Sequence, residues 1–106
     1  MVDVPAAVQR LLDAVNNGDT DAFLAAFGVT GRVDDWGRLF TGREEIRRWS
    51  DAELIGKQAT LAPLAALRDA EVVTMIATVG GHGFNGPSTF TFTIDGDEVT
   101  QMTIRE

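Results

Sequence analysis

The sequence predicts an α+β fold, and three observations carry that prediction. Apolar residues recur at helical spacing early in the chain, at Val4, Val8, Leu11, Leu12 and Val15. Late in the chain the period falls to two, with Phe90, Phe92 and Ile94 alternating against Thr89, Thr91 and Thr93. The strand-like segments of the second half follow one another with short turns between them, which is the pattern of an antiparallel meander rather than of alternating βαβ units.

Each element has its own signals. Asp3 is placed to cap the first helix, with Pro5 in its first turn, and Asn16-Asn17-Gly18 ends it because these residues accept a left-handed C-cap. Asp19 can cap a short second helix carrying Phe23, Leu24 and Phe27 and stopping at Gly28. Two short extended pieces follow, 32–36 and 38–40, hinged at Gly37. Thr41 and Glu44 have capping-box spacing and open a third helix with Ile46 and Trp49 on one face, ending at Gly56. On it, Asp51 and Glu53 are expected on a solvated flank.

Residues 57–67 alternate only in part, and Pro63 marks an edge, a bulge or a kink. Glu71 to Val79 is β-branched and apolar at both parities, as for a strand covered on two sides. Gly80 to Pro87 is a glycine-dense connection without the lysine or following helix of a phosphate loop. Asp95-Gly96 is a hairpin signal, and the phase break between Val99 and Met102 predicts a bulge near Thr100. Three helices over one curved antiparallel sheet would enclose a conical interior. The other sheet face would be apolar and would pair with a second copy, giving a homodimer.

Composition bounds the function. At 106 residues the chain has room for one core, read as a single domain over 1–106. No apolar run approaches a membrane span, and the N-terminus lacks the early basic residues of a signal peptide, so the expected setting is cytoplasmic with no membrane partner. A formal charge of −7 argues against nucleic acid. There is no cysteine, no tyrosine and one histidine, so thiolate chemistry, a tyrosine acid and a histidine metal cluster are closed. No metal or other cofactor is expected.

Asn17-Gly18-Asp19 with Phe23, the run Val33-Asp34-Asp35-Trp36-Gly37, the run Phe40-Thr41-Gly42-Arg43-Glu44-Glu45-Ile46 with Trp49, the glycine-rich stretch, the Phe-Thr-Phe-Thr strand and Asp95-Gly96-Asp97-Glu98-Val99 occur in an order that resembles the nuclear transport factor 2-like superfamily, and within it the SnoaL-like group of small bacterial proteins. The likeness spans nearly the whole chain. It implies a cone-shaped α+β barrel with an apolar pocket, often homodimeric through the sheet. Its members include ketosteroid isomerases, polyketide cyclases, dehydratases, epoxide hydrolases and non-catalytic binders, so fold by itself does not select the activity.

Asp35 is the leading catalytic candidate. The resemblance implies it, because the isomerase branch carries its base on an aspartate in a Val-x-Asp segment before the third helix. Strand alternation supports it physically: if Val33 faces the core, so does Asp35, and a desolvated carboxylate facing an apolar cavity is a usable base. The structural alternative is an aspartate that fixes the Asp35-Trp36-Gly37 turn or pairs with Arg38 or Arg43. The oxyanion donors of that branch are missing: the tyrosine position holds Leu11, and the strand 88–94 offers only serine and threonine. An epoxide-hydrolase cluster would need Arg105 or Arg43 beside Asp35.

Trp36, Trp49, Phe23, Phe27, Phe40 and Phe84 are the candidate pocket residues, each of which packing alone would also explain. His82, among four glycines, is a candidate for the pocket mouth or a solvated loop residue. The functional expectation is a small apolar organic ligand, handled either by cofactor-free isomerisation, cyclisation or dehydration with Asp35 as base, or by binding without turnover.

Overall fold

A computed structural model describes residues 3–105. Three helices, α1 (Ala6–Asn16), α2 (Thr20–Ala25) and α3 (Arg43–Glu53), pack on one face of a six-stranded sheet. The strands are β1 (Phe27–Asp35), β2 (Arg38–Thr41), β3 (Thr60–Asp69), β4 (Val72–Gly80), β5 (Gly86–Asp95) and β6 (Glu98–Arg105), in the spatial order β2-β1-β6-β5-β4-β3. The sheet is curved but open, because β2 and β3 remain edges.

The expected all-antiparallel sheet is corrected at one seam. β6 runs parallel to β1, with Val33 opposite Met102 and Asp35 opposite Ile104, while every other pair is antiparallel. The cause is chain order. The β1–β2 hairpin is laid down before α3, so the returning meander meets β1 from the other side of a helical crossover.

Helix boundaries follow local chemistry with shifts at four ends, one of them the end of α3 at Glu53 rather than at Gly56. Pro5, not Asp3, is the N-cap residue of α1, and no side chain caps that end. Asn17 and Gly18 close the helix, with Gly18 at φ +67°, and Asp19 caps α2 through the Ala22 amide at 3.1 Å. Helix α2 stops before Phe27, not at Gly28. Phe27 pairs with Val99 in the sheet, and the buried ladder position outweighs one more helical turn. The expected capping box does not form: Gly42, which has no side chain to cap with, is the N-cap of α3, and Glu45, not Glu44, accepts from the amide of the preceding Thr41 at 2.9 Å.

The two extended pieces around Gly37 form a hairpin whose first strand reaches back to Phe27. Its two turn residues, Trp36 and Gly37, both have positive φ, +55° and +89°. That is the handedness a tight hairpin needs, and it suits glycine far better than tryptophan.

The edge strand β3 carries its irregularity at Leu64, next to Pro63, and β6 has its unpaired residue at Thr100, both as the sequence predicts. Asn16 covers the free edge of β3: its amide nitrogen donates to the Leu61 carbonyl at 3.0 Å, and its oxygen accepts from the Leu61 amide at 2.7 Å. Strand β4, expected to be covered on both sides, alternates strictly. Val73, Met75 and Ala77 are buried beneath the helices, while Val72 and Ile76 lie on the outer face.

The core lies between the helices and the inner sheet face. Val8, Leu11 and Leu12 of α1, Phe23 of α2 and Ile46 of α3 meet Val33, Met75, Phe92 and Met102. Phe23 and Phe27 pack edge to face at 5.3 Å. Burying each such ring contributes roughly 1.5–3 kcal/mol, so these aromatics consolidate the helical end of the interior.

Candidate functional site

The interior is filled beneath α1 and α2 and open beneath α3. There a cavity of about 350 Å³ remains, within the size range of sites for small organic molecules. One row of side chains forms its floor: Asp35 on β1, Ile104 beside it on β6 and Phe90 beside that on β5. Trp49, Glu53 and Leu54 of α3 and its C-terminal end face the cavity from above. Trp36 of the hairpin turn and Phe84 of the glycine-rich loop also line it, and both rings are about 60% exposed, at 59% and 60%.

Asp35 is the polar centre. Its side chain is only 14% exposed, and Oδ2 accepts from Trp49 Nε1 at 3.1 Å and from the Arg38 guanidinium. Among the described residues Oδ1 receives no donor, and no side-chain oxygen or nitrogen is sealed away unpartnered, so Oδ1 is open to the cavity. This corrects the picture of a carboxylate isolated among apolar groups: the guanidinium balances its charge. The hairpin turn itself is held by Asp34, whose Oδ1 accepts from the Gly37 amide at 2.8 Å.

Arg38 also grips Glu53 with both terminal nitrogens, at 2.9 and 2.7 Å. The result is a carboxylate–guanidinium–carboxylate bridge from β1 through β2 to α3. Arg38 holds the Glu53 carboxyl below the ordinary glutamate range, and the two carboxylates hold the guanidinium protonated still more firmly. Glu53 is solvent-exposed, its side chain 40% accessible, and it also borders the cavity. It stands one helical turn after Trp49 and faces the same cavity, a relationship the i, i+4 spacing already contains. Sequence reasoning weighed Arg38 only as a structural partner of Asp35, which it is, and missed Glu53 as a site residue.

Trp36, Trp49, Phe84 and Asp35 are thus brought together. Phe23 and Phe27 lie in the core, away from the cavity, and Phe40 packs on Trp49 at 5.9 Å without reaching it. His82 is exposed and does not line the cavity; its backbone amide donates to the Lys57 carbonyl at 2.8 Å. That loop crosses Gln58 closely enough that a Cβ on Gly81 would lie 2.6 Å from the Gln58 carbonyl oxygen, so glycine is required there. Arg43 bonds the Phe27 carbonyl and Arg105 pairs with Asp34, so neither joins Asp35. Among the described residues no group of three metal-ligating side chains occurs.

No protein-family model matches the chain, and no curated protein is a significant match. Solved structures do match. A provisionally assigned polyketide cyclase from Sinorhizobium meliloti is 28% identical with a TM-score of 0.89, over 97% of this chain and 96% of that one. A protein of ketosteroid isomerase-like fold from Catenulispora acidiphila, in complex with trimethylamine, is 25% identical with a TM-score of 0.84, over 98% and 87%. The fold is the nuclear transport factor 2-like fold. A computationally designed 17-OHP binder shares it, at 15% identity and a TM-score of 0.84 over 94% and 87% of the two chains. Among the described residues no helix is long and apolar enough to cross a membrane.

Proposed function

We propose that the cavity takes up a small, largely apolar organic molecule and that Asp35 acts on it as a general base. The chemistry is cofactor-free proton transfer, the step common to isomerisation, cyclisation and dehydration of carbonyl and polyketide-like compounds. One observation carries this reading: Oδ2 of Asp35 is held by Arg38 and Trp49 while Oδ1 is left open to an aromatic-lined cavity. In the step itself, Oδ1 takes a proton from the carbon beside a carbonyl, leaving an enolate, and returns it to the same or another carbon. The similarity to a provisionally assigned polyketide cyclase and to a ketosteroid isomerase-like protein supports the same class.

The test is deuterium incorporation at the α-carbon of 2-tetralone in deuterated water, followed by proton NMR. The native chain is expected to accelerate exchange over buffer, and Asp35→Asn to lose roughly 10²- to 10⁴-fold of that acceleration. Equal rates for the two proteins would remove Asp35 as the base. A second reading, binding without turnover, is favoured by the way Asp35 ties β1 to Trp49 of α3, which serves the fold alone. Binding of 2-tetralone without accelerated exchange would select it.

We further propose a homodimer through the outer sheet face. Leu67 of β3 and Ile76 of β4 stand there 76% and 44% exposed, flanked by the outward threonines of β4 and β5. A second copy is the occupant that a largely uncharged face of this kind fits, because a twofold pair sets the same patch against itself.

A further inference from the structure

Three charged side chains line the cavity, and two of them have partners of opposite charge. Asp35 accepts from Arg38, and both Glu53 oxygens accept from the terminal nitrogens of Arg38. The third is Lys57, the one lysine among the nine basic residues of the chain. Among the described residues its ammonium makes no ion pair and no hydrogen bond. An exposed lysine elsewhere on a surface needs no partner, but this one is held at the cavity. Its carbonyl accepts from the His82 amide at 2.8 Å, and its stem runs against the glycine-rich loop, where a Cβ on Gly83 would lie 3.5 Å from Lys57 Cβ and Cγ. Phe84, the next residue of that loop, lines the same cavity. The ammonium therefore stays at a rim, with water on one side and an aromatic wall on the other.

The sheet order sets Lys57 apart from Asp35. Asp35 ends β1, whereas the Lys57 backbone is tied to His82, two residues past the end of β4. The order β1-β6-β5-β4 puts three strand spacings between them, roughly 14 Å along the sheet and less across its concave face. Ile104, Phe90 and Val79 line the floor between. An organic acid meets this arrangement in one orientation. Like charge keeps its carboxylate away from Asp35, and the ammonium draws it to the rim, where it stays hydrated. The apolar body then covers Ile104 and Phe90, within reach of Asp35. The net charge of −7 does not forbid this, because surface charges more than about 8 Å away are largely screened at physiological salt.

We infer that the ligand is an organic acid, an apolar body bearing one carboxylate, and that Lys57 is the specificity-determining residue that holds this carboxylate at the cavity rim. The inference rests on the ligand-binding reading above and names its substrate class. The acid group is remote from the carbon that Asp35 would deprotonate, so Lys57 governs which molecules enter and which way round, not the proton transfer.

2-Naphthylacetate and 2-naphthylacetamide differ by one charge at nearly equal shape. Ligand-detected NMR titration of both at low salt, against the native chain, Lys57→Gln and Lys57→Arg, tests the inference. The native chain is expected to bind the acid roughly three- to tenfold more tightly than the amide. Lys57→Gln should abolish that preference and leave the amide within about twofold, and Lys57→Arg should keep it. Salt at about 0.5 M should reduce the preference of the native chain. Equal binding of acid and amide by the native chain overturns the inference and leaves apolar binding standing, as does a preference that survives in Lys57→Gln. A parallel loss of both compounds in Lys57→Gln would mean that only the stem contributes, and also overturns it. Failure of the native chain to bind either compound overturns this inference and the binding reading together.

Discussion

Trp49 donates its indole N–H to Oδ2 of Asp35 at 3.1 Å, and this bond joins the third helix to the end of β1 across the floor of the cavity. The bond restrains the carboxylate so that one oxygen is committed and the other is open. Trp49→Phe keeps the ring packing on Phe40 and deletes only the donor. It is expected to cost about 1–2 kcal/mol in chemical denaturation, because the acceptor is charged and largely buried.

Asn16 makes a comparable connection at the opposite edge of the sheet, with both amide groups on the backbone of Leu61. Asn16→Ala leaves a part-buried N–H and C=O on an edge strand without partners. A loss of about 1–3 kcal/mol is expected in urea unfolding, and a loss below about 0.5 kcal/mol would show that water replaces the clip.

Trp36 occupies a left-handed turn position at φ +55°, which a bulky side chain adopts at a cost of about 1 kcal/mol. Trp36→Asn relieves that strain and is expected to stabilise the fold by about 0.5–1 kcal/mol while weakening 2-tetralone binding. A variant that gains stability and loses no affinity would remove the indole from the site.

The Arg38–Glu53 pair sets an acid limb. Glu53 has its carboxyl lowered in the fold, so its stabilising contribution is complete above the ordinary glutamate value of 4.5 and is lost as pH falls through the folded value. Arg38 stays protonated throughout. Glu53→Gln should therefore flatten the decline in stability below about pH 4.5, by a few tenths of a kcal/mol given its exposure and solvent screening, and less in high salt. Asp34, lowered by Arg105 and by the Gly37 amide, adds a second contribution of the same sign at lower pH.

The proposed dimer is tested on its outer face. Ile76→Glu is expected to shift the sedimenting species from dimer to monomer with the fold intact by circular dichroism. A native chain that sediments as a monomer at micromolar concentration would end the proposal.

Sequence by itself determined the elements whose signals are local. Gly18 and Asp19 punctuate the first two helices, Asp95-Gly96 makes the last hairpin, and the phase break at Val99 announces the bulge at Thr100, because turn chemistry and period-two alternation act over a few residues. The inward direction of Asp35 followed from Val33 for the same reason. Tertiary structure decided what depends on distant strands and on charge. The parallel seam between β1 and β6 arises from the path of α3 and the meander, which no local signal encodes. Phe23 and Phe27 became core and Trp49 became cavity because α1 and α2 fill one end of the interior and α3 leaves the other open. Arg38 could have paired with water alone. It holds Asp35 and Glu53 because β2 and the end of α3, fifteen residues apart in the chain, arrive at the same place, and the guanidinium fork satisfies both carboxylates at once.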